Sequence, residues 1–407
     1  MSEGSTRAGQ QSRLGATLIN GRRTVVMYVF TFLGMAAIVT TMLLAYVVFV
    51  RALPLYNYLK DGDENGKRWR GLGIHQADSE LGFKPIPGAQ GVQLLPPGRE
   101  IRGREIPVCF DQNGFRVPVS EWNDPPTAGD QRPIVLTLGC SCTFGAATLA
   151  EETYPYLVGK LLGGTTKNAG VSGAGLSQML LLARKLVPTI KPDYLIVQYS
   201  PWLAERARDP FAPTMFGRIP HPYFYGEAEP ALHPPVFRVK VLDLPWDRYQ
   251  TTPKSVADFI SFLWNAALPL AIHDGTNMLV FYIKRLIGAV PAPTKDSGKV
   301  EKLVYHEIAE VGKANGVKLI LVVLGVGADP VKVPADIGSD YLIVDANTTL
   351  IMRLPSPDRE HWIKQYAHWG GDPPRAVDFH PNPEAHRIIA EEIVSKIKAV
   401  TASPQNQ

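Results

Sequence analysis

The chain has 407 residues, 45% apolar and 20% charged, which excludes global disorder and suffices for one large or two ordinary domains. Its 42 Lys and Arg against 38 Asp and Glu leave a net charge of +4, too small and too dispersed for a nucleic-acid surface. With 36 Gly and 35 Pro, the composition points to long loops around a compact core and away from a helical bundle.

Residues 1–23 form a short tail containing Arg7, Arg13, Arg22 and Arg23. From Thr24 to Val50 no residue is charged, and the stretch exceeds the ~20 residues that cross a bilayer. Phe30, Leu33, Ile38, Leu43, Leu44 and Val47 lie on all sides of such a helix, so it has no polar face. It is too long for the apolar region of a cleaved signal peptide. Residues 24–50 are therefore expected to be a single-pass anchor in the lipid bilayer. Arg13, Arg22 and Arg23 precede the segment; Arg51 and Lys60 follow, diluted by Asp61, Asp63 and Glu64. That bias favours a cytoplasmic N-terminus, with the rest of the chain periplasmic or extracellular.

Residues 51–131 read as a stalk or β-containing cap. Within it, IPVCFDQNGFRVP predicts two short strands about Asn113-Gly114, a strong hairpin dipeptide. A linker at 124–132 follows. The region 132–400 then alternates. Apolar strands are expected at Pro133–Gly139, at a short segment ending near Asn168, and at Tyr194–Tyr199, Val317–Leu324 and Tyr341–Asp345. Helical spacing falls about Tyr154–Leu162, Leu176–Val187, Val300–Ala314 and Glu384–Val394. Five strands alternating with helices predict an α/β fold: a three-layer α/β/α sandwich around a five-stranded parallel sheet. Residues 202–298 are too long for a simple loop and read as an inserted subdomain. Inside them FISFLWNAALPLAI, 259–272, suits a buried or interfacial helix better than a membrane span. Residues 401–407 are a tail.

Sites in open parallel sheets form beyond the carboxyl ends of the strands. Directly after the first strand comes Gly139-Cys140-Ser141-Cys142-Thr143-Phe144-Gly145. A Ser there can expose its hydroxyl beside a backbone N–H able to hold an oxyanion; the same residues also read as a tight strand–helix turn. It is not a Gly-x-Ser-x-Gly elbow, because position 143 is Thr. Before the last helix stands Asp378-Phe379-His380-Pro381-Asn382-Pro383-Glu384. Asn382 can cap that helix and Pro383 fits its first turn. Asp378 can orient the His380 imidazole to take a proton from a hydroxyl, or both can simply satisfy loop backbone groups. Cys140 and Cys142 flank the serine without an evident base, and as buried thiols they pack as small hydrophobes; whether Cys109 pairs with either stays open.

Taken together, these segments resemble the SGNH (GDSL-type) hydrolase family. GCSCTFG looks like its first block, NAGVSGAGLSQ like its second, and DFHPNPEAHRIIAEEI like its last. The likeness covers about 133–200 and 317–398 and implies an SGNH/flavodoxin-like sandwich. It implies Ser141 as nucleophile, His380 as base, Asp378 as its orienting partner, and the N–H groups of Ser141 and Gly170 as oxyanion donors. It further implies hydrolysis of acyl esters, O-acetyl esters on an envelope or secreted polysaccharide among them. Two departures stand out. The first block's Asp is Cys140, and the third block, Gly-x-Asn-Asp, is absent. Gln198 or Ser200 can replace its missing amide donor, though Gln198 can equally sit inside the sheet. Trp202, Glu205 and Arg206 lie just beyond, where Trp202 and Arg206 can contact a sugar. An O-acyltransferase using the same residues, or an inactive glycan-binding relative, are the alternatives. His386 suits core packing, and His221, His233 and His361 have no metal spacing, so no metal and no cofactor is expected.

Overall fold

A computed structural model of the chain describes residues 4–46, 69–70, 74–94, 105–125, 130–214, 217–236, 255–370, 373 and 375–402. The apolar runs pair into one parallel sheet of β1 (Ile134–Leu138), β2 (Thr165–Asn168), β3 (Tyr194–Tyr199), β4 (Lys318–Val323) and β5 (Leu342–Val344). Their spatial order is β5-β4-β3-β1-β2, with Val135 beside Tyr194 and Thr166, and Tyr194 beside Lys318. Val135, Leu136, Leu195, Ile196 and Val322 expose nothing, as expected of strands covered on both faces.

Right-handed crossovers dictate where the helices go. Helices α1 (Tyr154–Leu162) and α4 (Pro383–Ala402) pack together, as do α2 (Leu176–Ile190) and α3 (Ser297–Ala314). The two pairs form the outer layers of the expected sandwich. Helix α1 stops at Gly163, whose φ of 70° is the left-handed conformation that ends helices.

The remaining parts attach to this body. The expected hairpin forms between Glu105–Phe110 and Arg116–Val117, turning at Gly114 with φ 84°. It belongs to a four-stranded antiparallel sheet with Gln90–Leu94 and Trp69–Arg70. A short helix, Val119–Asn123, follows it within the part read as a stalk or β-containing cap. The 202–298 region contains the helix Trp202–Arg208, two small hairpins and a helical run from Val256 to Leu286. At the N-terminus, the helix Gly4–Ala45 includes Val25–Ala45, 21 residues of mean hydropathy 2.0 whose side chains are all exposed. Thr31, Thr40 and Thr41 donate their hydroxyls to carbonyls one turn back, which satisfies them without water. Residues 47–50 of the expected span, and 126–129 of the linker, lie outside the described residues.

Ile196 is central to the sheet. Ile196→Ala is expected to destabilise the folded domain by about 2–5 kcal/mol, read as a lowered midpoint of urea unfolding. A shift below about 0.5 kcal/mol, the level of a surface substitution, would contradict the core position.

Candidate active site

The sheet reverses its winding between β1 and β3, since β1 leads outward to β2 and β3 leads the other way to β4. The crevice at such a switch point is where open α/β sheets bind ligands. Ser141 stands there, as the first residue of a one-turn helix, Ser141–Phe144, that follows β1. Gly139 makes the turn possible. A Cβ at that position would lie 1.9 Å from Thr143 Oγ1 and 2.6 Å from Gln198 Oε1. The turn's hydrogen-bond ladder begins with the N–H groups of Phe144 and Gly145, so the Ser141 N–H lies ahead of it, among the orphan donors of a helix start.

A buried amide holds this turn. Gln198, at the end of β3, has no exposed surface. Its Oε1 accepts from the Cys140 N–H at 3.0 Å and from Thr143 Oγ1 at 2.8 Å. Its Nε2 donates to Ser200 Oγ at 2.8 Å and to Cys140 Sγ at 3.2 Å. Ser200 Oγ in turn donates to the Leu324 carbonyl at 2.7 Å, beyond β4. The expectation that Gln198 or Ser200 faces substrate is thus corrected: every hydrogen-bonding position of the amide is taken, and Ser200 is 3% exposed. A polar side chain inside a dry sheet must be satisfied there, and these two satisfy each other and the serine turn.

Cys140 occupies the position of the resembled family's Asp and acts as an acceptor. Besides Gln198, Ser141 Oγ lies 3.9 Å from its sulfur, and the Trp202 side chain is near enough to lower its pKa. A hydrogen bond from Cys142 lowers the Cys140 pKa and raises that of Cys142. Trp202 therefore packs against the serine turn and the core. Arg206 donates to the Ala174 carbonyl at 3.2 Å, and its charge is felt at Cys140, Cys142 and His380. Cys109, Cys140 and Cys142 are all free thiols.

The second block adds a staple. Asn168 ends β2, and its Nδ2 donates to the Thr143 carbonyl at 3.1 Å. Its Oδ1 accepts from the Gly170 N–H at 3.0 Å. The Gly170 N–H, expected as an oxyanion donor, is engaged by a side chain that the sequence reading passed over. Gly170 itself must be glycine, because a Cβ would meet the Phe144 nitrogen at 2.4 Å.

Sequence reasoning also missed Arg116. This hairpin residue is buried and donates to the carbonyls of Phe144, Gly145 and Thr148, with its guanidinium 4.3 Å from the Phe144 ring centre. The C-terminal carbonyls of the serine turn thus receive a cation, as a helix end prefers. Burial lowers its pKa to about 9, which leaves it charged at neutral pH. No local pattern flagged it; the signal is long-range.

The last block delivers the expected pair. Asn382 caps α4, its Oδ1 accepting from the Ala385 N–H at 3.0 Å. It also clamps the preceding loop, donating through Nδ2 to the Gln365 carbonyl at 2.9 Å and through its N–H to that of Tyr366 at 2.9 Å. Asp378 ends the strand Arg375–Asp378, which pairs with His368–Gly370 through a bulge. With both flanks fixed, Asp378 Oδ1 takes the His380 Nδ1 at 2.6 Å and its backbone N–H at 2.8 Å. Burial pulls the His380 pKa down, but the hydrogen bond and charge of Asp378 outweigh it, and the ring ends above its ordinary 6.5. For Asp378, burial acts upward and His380 downward, with a net lowering. The buried His386 accepts from the Tyr154 N–H at 3.2 Å and stacks on the Tyr154 ring. Its pKa falls to about 3, chiefly by burial, which keeps it neutral and structural. No His/Cys/Asp/Glu group among the described residues could hold a metal.

The first and last blocks meet at one rim of the sheet. Thr148 Oγ1 donates to the Pro381 carbonyl at 3.1 Å, which ties the segment after the serine turn to the residue that follows His380. Ser141 Oγ and the His380 ring form no direct hydrogen bond; the serine hydroxyl points toward the Cys140 sulfur. Catalytic hydrogen bonds commonly tighten only in the substrate complex.

No family model matches the chain. No curated protein matches it either. Among solved structures it is similar to a putative lipolytic protein of the G-D-S-L family from Desulfitobacterium hafniense, at 12% identity and a TM-score of 0.32, over 65% of this chain and 99% of that one. It is also similar to a catalytic mutant of Axe2, an acetylxylan esterase from Geobacillus stearothermophilus, at 12% identity and 0.32, over 66% and 94%. A third is a GDSL-like lipase from Bacteroides thetaiotaomicron, at 14% identity and 0.31, over 66% and 89%. Likenesses this distant carry no argument for function, which has to rest on the site.

Two outcomes follow from this geometry. By NMR, the His380 ring is expected to lose its proton, as pH rises, at a pKa above 6.5. In Asp378→Asn the two largest upward influences are gone and burial, the largest downward one, remains, so the ring should titrate below 6.5; an unmoved value would contradict the pairing. Arg116→Met strands three carbonyls and is expected to cost about 3 kcal/mol in urea unfolding, whereas a loss under about 0.5 kcal/mol would show that the clamp contributes nothing.

Proposed function

We propose that the chain is a membrane-anchored serine ester hydrolase of SGNH type. The observation that carries this reading is the Asp378–His380 pair, 2.6 Å apart, at the same sheet rim as a serine that opens the turn after β1. Ser141, His380 and Asp378 then have the roles that the sequence resemblance implies. Ser141 Oγ attacks the ester carbonyl carbon as His380 Nε2 takes its proton. Asp378 holds Nδ1–H and steadies the imidazolium. The carbonyl oxygen becomes an oxyanion facing the Ser141 N–H, with the Arg206 charge nearby. Collapse expels the alcohol, which takes the proton from His380. Water, deprotonated by His380, then attacks the acyl-serine; the Ser141 oxygen leaves, takes that proton back from His380, and the carboxylic acid is released. A serine hydroxyl needs such a base because it is un-ionised at neutral pH.

The substrate we propose is an acyl ester, an O-acetyl group on an envelope or secreted polysaccharide. In this reading Trp202, packed beside the serine turn, and Arg206 would contact the sugar. The apolar helix Val25–Ala45 supports a bilayer anchor, and Arg13, Arg22 and Arg23 before it favour a cytoplasmic N-terminus with the enzyme domain outside. The committed Gly170 and Gln198 groups favour a second reading, an inactive glycan-binding relative, because an oxyanion hole lacking one donor is slower by about 100–1,000-fold.

Ser141→Ala in the full chain is expected to lower hydrolysis of 4-nitrophenyl acetate by about 1,000-fold or more with unfolding unchanged. Equal activity in the variant would remove the catalytic assignment.

A further inference from the structure

Residues 256–286 make one continuous helical run: Val256–Phe262, a five-residue π-turn at Leu263–Ala267, and Leu268–Leu286. At 1.5 Å per residue the run is about 45 Å long. Its inner side is anchored. Phe262 and Phe281 are buried, and Phe281 meets Phe211 edge-on at 5.3 Å within a cluster that also holds Tyr223, Val236 and Val290.

The outer side is apolar and bare. Val256, Ile260, Trp264, Ile272, Leu279, Ile283 and Leu286 are 48–87% exposed. An α-helix turns ~100° per residue, and a π-turn ~80°, so five π residues set the phase back by about 100°. With that lag, the seven side chains fall in a sector about 80° wide; in an uninterrupted α-helix they would spread over about 180°. The same lag keeps Phe262 and Phe281 together on the opposite side. Among the described side chains, the charged ones of this run, Asp258, Lys284 and Arg285, lie outside the sector. Soluble monomers rarely expose so continuous an apolar strip.

We infer that this strip is a bilayer-contacting face, lying in the membrane plane with its side chains among the headgroups and upper acyl chains. Three observations select lipid over a protein partner. The chain carries its own apolar helix, Val25–Ala45, exposed along its whole length, so under the anchor reading, on which this inference rests for proximity, a bilayer is always near. Trp264 lies in the strip and Tyr282 at its margin, the residue types that settle at membrane interfaces. Arg285, exposed near the end of the run, lies off the strip, where a long cationic side chain reaches anionic headgroups, while Lys284 turns inward and donates to the Val236 carbonyl at 3.4 Å. The run does not span the bilayer, because its other side is packed on the domain. It gives the domain a second point of attachment, which fixes its tilt and the height of the catalytic crevice above the lipid.

The test uses the full chain in vesicles of phosphatidylcholine and phosphatidylglycerol, with and without brominated acyl chains. The fluorescence difference between the wild-type chain and Trp264→Phe isolates Trp264. The expected result is a blue-shifted signal that brominated lipid extinguishes and aqueous iodide does not. A signal quenched by iodide alone overturns the inference, and one shielded from both, with cross-linked dimers, assigns the strip to a second copy and overturns it as well. Resistance to carbonate extraction reports the anchor separately. A chain released by carbonate but quenched by bromolipid at neutral pH loses the anchor and keeps this face.

Discussion

One buried amide holds the site together. Gln198 lies inside a dry parallel sheet, where an unsatisfied polar group costs about 1–3 kcal/mol. It meets that demand by reaching from β3 to the serine turn after β1 and to Ser200. The sheet's switch point and the serine's position are thereby one structure. Thr143 extends the network to the Tyr154 hydroxyl at 2.8 Å, and Tyr154 in turn meets His386 on α4. A chain of hydrogen bonds thus runs from the strand end to the helix that Asn382 caps, two residues beyond His380.

Around that network the site is braced from outside the sandwich. Arg116 comes from the antiparallel cap and closes the far end of the serine turn, so the cap is a structural part of the site and more than a stalk. Its charge is tolerated in the interior because three carbonyls and an aromatic face replace the water it gives up. Asn168 ties the second block to the first in the same way. Rigid support of this kind is what a catalytic serine needs, since small misplacements cost large factors in rate. It also consumes donors, so the proposed oxyanion would rest on fewer groups than the family resemblance implies.

Much of this was legible in the sequence, for identifiable reasons. Strands such as Tyr194–Tyr199 are buried on both faces and read as unbroken apolar runs. Asn382-Pro383 announced a helix start because capping chemistry is local, and Asp378 and His380 share a loop too short to separate them. What the sequence hid depends on distant partners. Gln198 reads the same whether it faces a crevice or the sheet interior, and only Cys140 and Thr143 opposite decide it. Arg116 looks like an ordinary hairpin residue until the Phe144–Thr148 carbonyls arrive. The Val256–Leu286 strip needed the phase lag of the π-turn, which no local periodicity reveals.

The central claim is that Ser141 is a nucleophile activated by His380. Its most direct test is covalent: treat the full chain with a fluorophosphonate and locate the adduct by peptide mass spectrometry. The account expects one phosphonylated serine, Ser141, with labelling lost in His380→Ala. An unlabelled Ser141 in the folded protein, or labelling indifferent to His380, would contradict it.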